Sequence, residues 1–114
     1  MANTFKLVTK ANVTSSDVIY TPDSVTTVIL GLILGNTTTS QVTATVSLAS
    51  STSSRAGDNN EDNQTVELIT NAPIPVGGSL ELLAGNKVVM ENNDALSVSA
   101  SGSTDVALSI MEIS

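Results

Sequence analysis

The residues Gln41-Val42-Thr43-Ala44-Thr45-Val46-Ser47-Leu48-Ala49 alternate without a break. Val42, Ala44, Val46 and Leu48 fall on one side of an extended chain, and Gln41, Thr43, Thr45 and Ser47 on the other. Successive side chains of a strand point to opposite faces, so this segment reads as a strand with one face in a core and one in water. A helix would scatter the same apolar groups around its circumference. The pattern returns at residues 95–102, with Leu96, Val98 and Ala100 inward and Ser97, Ser99 and Ser101 outward. It returns again at residues 105–112, with Val106, Leu108 and Ile110 inward.

Shorter runs at residues 5–8, 17–20, 65–70, 79–83 and 87–91 also read as strands. Turn residues separate them: Pro22-Asp23-Ser24, Gly35-Asn36, Gly85-Asn86, Asn92-Asn93-Asp94 and Gly102-Ser103. The stretch Asn71-Ala72-Pro73-Ile74-Pro75-Val76-Gly77-Gly78 predicts an extended connection, because two prolines exclude a central strand. Eight or nine strands at roughly ten-residue spacing predict an all-β fold. The expected architecture is a single antiparallel β-sandwich over residues 1–114, and the jelly roll is one arrangement that fits.

One segment breaks the alternation. Between Val25 and Leu34, the residues Val28, Leu30, Leu32 and Leu34 would face one side and Ile29 and Ile33 the other, with Gly31 and Gly35 between. Two readings fit: a central strand covered on both faces within the fold, or a strand whose Ile29, Gly31 and Ile33 form a subunit interface, the glycines letting backbones approach.

Composition narrows the function. Charged residues make up 13% of the chain and apolar residues 40%, while 16 Ser, 15 Thr and 10 Asn supply the polarity. The apolar fraction is too high for a disordered chain. Such low charge favours burial beyond what one small domain provides, as in many copies packed side by side. The 114 residues contain no cysteine, no histidine and no tryptophan. Disulfides, thiolate or imidazole metal sites and His-dependent catalysis are therefore excluded. The net charge of -7 repels phosphate, and one Tyr plus one Phe make no stacking platform, so nucleic acid is not an expected partner. The longest apolar run, residues 28–34, suits a strand and is far short of the ~20 residues of a membrane helix. No secretory leader is read at the start, so a soluble protein made in a cytoplasm, with no membrane partner, is the expectation.

Residues 50–64 hold no large apolar group and read as a long polar loop. Within it Asp58, Asn60 and Asp62 match the one-three-five spacing of an EF-hand calcium loop, but Asn63 and Ile69 stand where that loop requires Gly and Glu. A solvated acidic loop is the better reading, and no metal or other cofactor is expected. The Asn-x-Thr triplets at Asn12, Asn36 and Asn63 are no more than so Thr-rich a chain produces by chance. Glu61 and Asp62 sit in the loop, where nothing fixes a catalytic geometry, and Glu67, Glu81, Glu91 and Glu112 read as outward solubilising charges. Gly77-Gly78 lacks the helix and lysine of a phosphate-cradling loop. No catalytic residues are assigned, and the chain is not expected to be an enzyme.

Several segments resemble a family of small virion structural proteins of tailed bacteriophages, notably phages of marine bacteria and cyanobacteria. They are Met1-Ala2-Asn3-Thr4-Phe5-Lys6, Thr26-Thr27-Val28-Ile29-Leu30-Gly31-Leu32 with Asn36-Thr37-Thr38, residues 71–80, and residues 108–114. The most specific is Asn-Ala-Pro-Ile-Pro-x-Gly-x-Ser-Leu at residues 71–80. The resemblance implies a non-enzymatic β-sandwich subunit, present in many copies on the capsid, neck or tail surface and assembled into the virion in the host cytoplasm. Its implied partners are copies of itself, as a homo-oligomer, and other virion proteins. The competing class is a fibre-borne module that binds a host glycan or receptor, with the polar loop as reader; against it, sugar faces usually stack on Trp or Tyr, and only Tyr20 is available.

Overall fold

The computed structural model describes residues 3–51, 64–83 and 87–114. Nine strands follow in order: β1 (Asn3–Val13), β2 (Asp17–Tyr20), β3 (Thr26–Asn36), β4 (Val42–Ala49), β5 (Thr65–Ile74), β6 (Ser79–Leu82), β7 (Val88–Met90), β8 (Ala95–Ala100) and β9 (Thr104–Ile113). No helix occurs among the described residues, and all the strand pairings are antiparallel. One sheet has the order β1-β9-β3-β6, with β7 also paired to β3; the other has the order β2-β8-β4-β5. β6 lies against Leu32, Ile33, Leu34 and Gly35, and β7 against Thr27, Val28 and Ile29, so the two are successive pieces of one edge. Counted together they give two four-stranded sheets in the strand order of a jelly roll. The turn at Gly85-Asn86 lies outside the described residues.

The alternating segments supply the core. Val42, Ala44 and Val46 of β4, Leu96, Val98 and Ala100 of β8, and Val106, Leu108 and Ile110 of β9 are all buried, and Leu48 packs against them. Each of the Val, Leu and Ile side chains among them contributes about 1.5–3 kcal/mol by leaving water. Two strands outrun their sequence signal. β1 continues to Val13 because β9 pairs with it from Asn3 to Lys10. β5 continues through Pro73, which pairs with Thr43. β5 is an edge strand, the one place where a residue without an N–H breaks no ladder on its outer side.

After β5 the chain turns at Pro75-Val76-Gly77-Gly78. Gly78 N–H donates to the Pro75 carbonyl at 2.9 Å, and Gly77 has φ 70, the third-residue geometry of a type II turn. This turn is bolted to the end of β3 by Asn36, a nearly buried residue. Asn36 Nδ2 donates to the carbonyls of Ser40, Ile74 and Pro75 at 2.8, 3.0 and 3.2 Å. Its Oδ1 accepts from Thr38 N–H and Thr38 Oγ1, both at 2.8 Å, and its own N–H reaches the Gly78 carbonyl at 3.0 Å. Asn36 therefore ends β3 as a cross-sheet brace rather than as a simple turn residue.

The irregular segment of β3 resolves into a bulge. Ile29 pairs with Ile110 and Gly31 with Ser109, so Leu30 is an extra residue on the β3 side. One inserted residue reverses which face the following side chains occupy. Thr27 and Ile29 point inward before it, and Leu32, Leu34 and Asn36 after it; all five are buried. The expectation that Ile29 and Ile33 share a face is corrected: Ile29 is fully buried in the core, whereas Ile33 stands 47% exposed on the outside. Among the described residues, nothing buries Ile33 on the outer face of β3.

The inside-outside assignment gives a direct test. Val46→Asp places an unpaired carboxylate at a site with no exposure and should cost more than about 4 kcal/mol, enough to unfold the domain. Thr45→Asp, on the half-buried opposite face, should cost less than about 1 kcal/mol in urea denaturation.

Candidate functional site

Strand register places the outward side chains of the β1-β9-β3-β6 sheet in rows. Phe5, Met111, Val28 and Val89 form the first row, and Leu7, Ser109 and Gly31 the second. Thr9, Ala107, Ile33 and Glu81 form the third, and Asp105, Gly35 and Ser79 lie beyond it. Phe5 is 71% exposed, Leu7 66% and Val89 57%. Across these rows the charges are Glu81 and Asp105, although the whole chain carries -7; Lys10, opposite the buried Val106, is on the inner side of β1. An apolar, weakly charged sheet face of this extent is the usual mark of a contact surface.

Its relief comes from the glycines. A hollow of about 350 Å3 lies on one side of Ile33, lined by Lys10, Gly35, Asp105 and Ala107 among others. A second, of about 320 Å3, lies on the other side, lined by Leu7, Gly31, Glu81 and Ser109 among others. A Cβ built on Gly31 or Gly35 meets no atom within 4 Å, and neither residue has a positive φ. The folded chain alone gives no steric or conformational reason for either glycine. Gly102 is the opposite case: a Cβ there would come within 2.7 Å of Val42 Cγ1.

Between the sheets, at one end, four strands contribute a polar cluster. Tyr20 of β2 donates its hydroxyl proton to Glu112 Oε2 of β9 at 2.6 Å, and Thr27 Oγ1 of β3 lies 2.7 Å from the same hydroxyl. Lys6 of β1 pairs with Glu112 Oε1 at 2.8 Å. The Lys6 bond, then the Tyr20 bond, holds the Glu112 carboxyl below its ordinary 4.5. Burial, then the bond to Glu112, pushes the Tyr20 hydroxyl from 10.0 up to about 12. Glu112 is thus not an outward solubilising charge. Its place in the Val106, Leu108, Ile110 alternation already carried that signal. The cluster ties the two layers together, and it occupies the Tyr20 hydroxyl, leaving Phe5 as the exposed aromatic.

Of the three residues expected at a subunit interface, Gly31 and Ile33 lie on the outer face and Ile29 lies in the core. Asp58, Asn60, Glu61 and Asp62 lie outside the described residues. Among the described residues no three Asp, Glu, His or Cys side chains converge as a metal site would require, and no helix is long and apolar enough to cross a membrane. A polar hollow of about 580 Å3 opens at one end of the sandwich, lined by Ser24, Ser51, Glu91, Asn92, Asn93 and Ile113 among others.

No protein-family model matches the chain, and none of the curated proteins matches it. Among solved structures, it is similar to a chain described under "Bacillus endospore appendages form a novel family of disulfide-linked pili". That likeness has a TM-score of 0.44 and 13% identity, over 96% of this chain and 85% of the other. The present chain has no cysteine with which to make a disulfide link.

Two measurements follow. The folded state holds the Tyr20 proton more tightly than the unfolded chain does, so its contribution is complete below pH 10 and declines as pH rises towards about 12. Glu112 works in the opposite direction: its contribution is complete above pH 4.5 and is lost as pH falls. Tyr20→Phe should flatten the alkaline decline, keep the acid one, and cost about 1 kcal/mol at neutral pH in denaturant titrations. Gly31→Ala and Gly35→Ala should leave monomer stability unchanged or raise it by up to about 1 kcal/mol, whereas Gly102→Ala should lower it by about 1–3 kcal/mol.

Proposed function

We propose that this chain is a non-enzymatic structural subunit that works in many copies on a bacteriophage virion, at the capsid, neck or tail surface, as a decoration or tail-accessory protein. The observation that carries the reading is the outer face of the five-stranded sheet, where Phe5, Leu7, Ile33 and Val89 are exposed around two glycines that the chain itself does not need. The resemblance of residues 71–80 to the phage virion family supports the setting. Asn36 adds to this, since its bonds join the two segments that carry the likeness, residues 36–38 and 71–80.

The task such a surface performs is adhesion by area. Burial of apolar surface is non-directional and proportional to the area removed from water. A contact that is weak for one subunit becomes strong when neighbours hold it in place, because each added contact is then intramolecular. No group on this face needs to do chemistry.

Immunogold labelling of purified particles from the source phage tests this. The expected result is label at regular positions, with tens of copies per particle by quantitative mass spectrometry, and loss of incorporation for the folded Ile33→Glu variant. Protein abundant in the infected lysate but absent from washed particles overturns the proposal.

A further inference from the structure

We infer that residues 3–10 of β1 exchange between copies of this chain, so that the segment from one copy takes its place beside β9 of another. This deepens the assembly reading above and rests on it. Little holds the segment in its own chain. Register places Thr4, Lys6, Val8 and Lys10 opposite Glu112, Ile110, Leu108 and Val106, on the inner side of the sheet. Three of those four are polar, and Val8 alone among residues 3–12 is even half-buried. Phe5 and Leu7, on the other side, are exposed. The segment is held by its ladder to β9, the contact of Val8 with the core and the Lys6–Glu112 ion pair. A piece with so few buried apolar contacts opens at far less cost than the whole fold.

A hinge lies where the segment meets the body. The register slips between Lys10 and Val13, with Ala11 and Asn12 in the gap. Asn12 has φ 60, a left-handed bend that is uncommon outside glycine. Two exposed hydrogen bonds hold it: Asn12 N–H donates to Asp105 Oδ1 at 3.0 Å, and Ser103 Oγ donates to Asn12 Oδ1 at 2.9 Å. Val13, just beyond, is fully buried and pairs with Thr104. Turning Asn12 to an extended φ swings residues 3–10 away while Val13 stays anchored. Short hinges under strain favour exchange of this kind.

The freed edge of β9 selects what it takes. Glu112 calls for a cation at the position opposite Ile110, and Leu108 for an aliphatic group opposite itself. Lys6 and Val8 of a second copy meet both demands in the same register. Exchange therefore rebuilds the contacts of the closed chain and departs from it at the hinge, which makes it a low-cost route to association. Concentration then decides between the two forms. Addition of a strand to the open side of β1 is the less favourable route, because inward-pointing charges such as Lys6 and Lys10 blunt an edge against lateral pairing.

The chain has no cysteine, so a disulfide between register partners reports which β9 each β1 occupies. Leu7→Cys and Ser109→Cys, a facing pair, are placed in separate chains, refolded together at submillimolar concentration and oxidised. Peptide mapping should find residue 7 of one chain joined to residue 109 of the other. Both substitutions in one chain, oxidised at high dilution, confirm that the pair links. Asn12→Pro, which forbids the positive φ, should raise the yield between chains about tenfold or more. In an equimolar mixture of Lys6→Glu and Glu112→Lys chains, each segment finds an opposite charge only on its partner. Sedimentation velocity should then show at least about tenfold more dimer than either variant forms alone, with circular dichroism confirming that both are folded. A pair that links only within chains overturns the inference, and so does a yield that Asn12→Pro leaves unchanged or a charge-variant mixture that stays monomeric. Links only within chains, with ordered label on particles, remove the exchange and leave the virion reading standing; links between chains with no protein on particles do the reverse.

Discussion

The extra residue in β3 is the constraint on which the rest of the molecule depends. A strand of continuous apolar sequence has no intrinsic inside, because either register buries hydrophobic groups. Inserting Leu30 opposite the Ile110–Ser109 step changes the phase midway, so Ile29 and Leu32, only three residues apart, both enter the core. The same step delivers Gly31, Ile33 and Gly35 to the outside. Without the bulge, a regular strand that buried Leu32 and Leu34 would carry Ile29 outward and draw Val28 inward. The core and the outer face are thus two results of one local irregularity, which is the role that bulges play where a sheet must redirect side chains.

The fold was legible in the sequence wherever Ser and Thr alternate with aliphatic residues, because polarity itself then marks the two faces. β4, β8 and β9 are of this kind, and their inward residues are the ones found buried. β3 was not legible in the same way: Val28, Ile29, Leu30, Leu32, Ile33 and Leu34 are all apolar, and no polar residue records the phase. Ile33 and Gly31 could be picked out by their departure from the pattern, while Ile29 could be placed only once the pairing with β9 was known. The reach of β1 and β5 was also hidden, since both are lengthened by partners far away in the chain.

Polar residues were hardest to place because their roles are set by three-dimensional neighbours. Asn36 sits beside a glycine and looks like a turn former, yet its side chain serves both β3 and the approach to the Pro75 turn. Glu112 looks like surface charge near a chain end, yet it accepts from Tyr20 and pairs with Lys6. Each lies where one sheet must be held to the other near an end of the sandwich, where apolar packing thins out. Buried polar groups satisfied in this way fix one arrangement of the layers, because sliding either sheet leaves donors and acceptors without partners.

The pairing of β1 with β9 has a consequence for how the molecule comes into being. Asn3 lies opposite Ile113, and the ladder continues to Lys10 and Val106, so the first of the nine described strands is held in its sheet by the ninth. During synthesis β1 must wait for β9, its hydrogen-bonding neighbour, until the strands between them have left the ribosome. Chains wired by such distant partners fold slowly, on the millisecond-to-second scale. The face that bears Phe5 and Leu7 takes shape only when β9 joins β1, so a growing chain that lacks β9 cannot present it prematurely to finished neighbours.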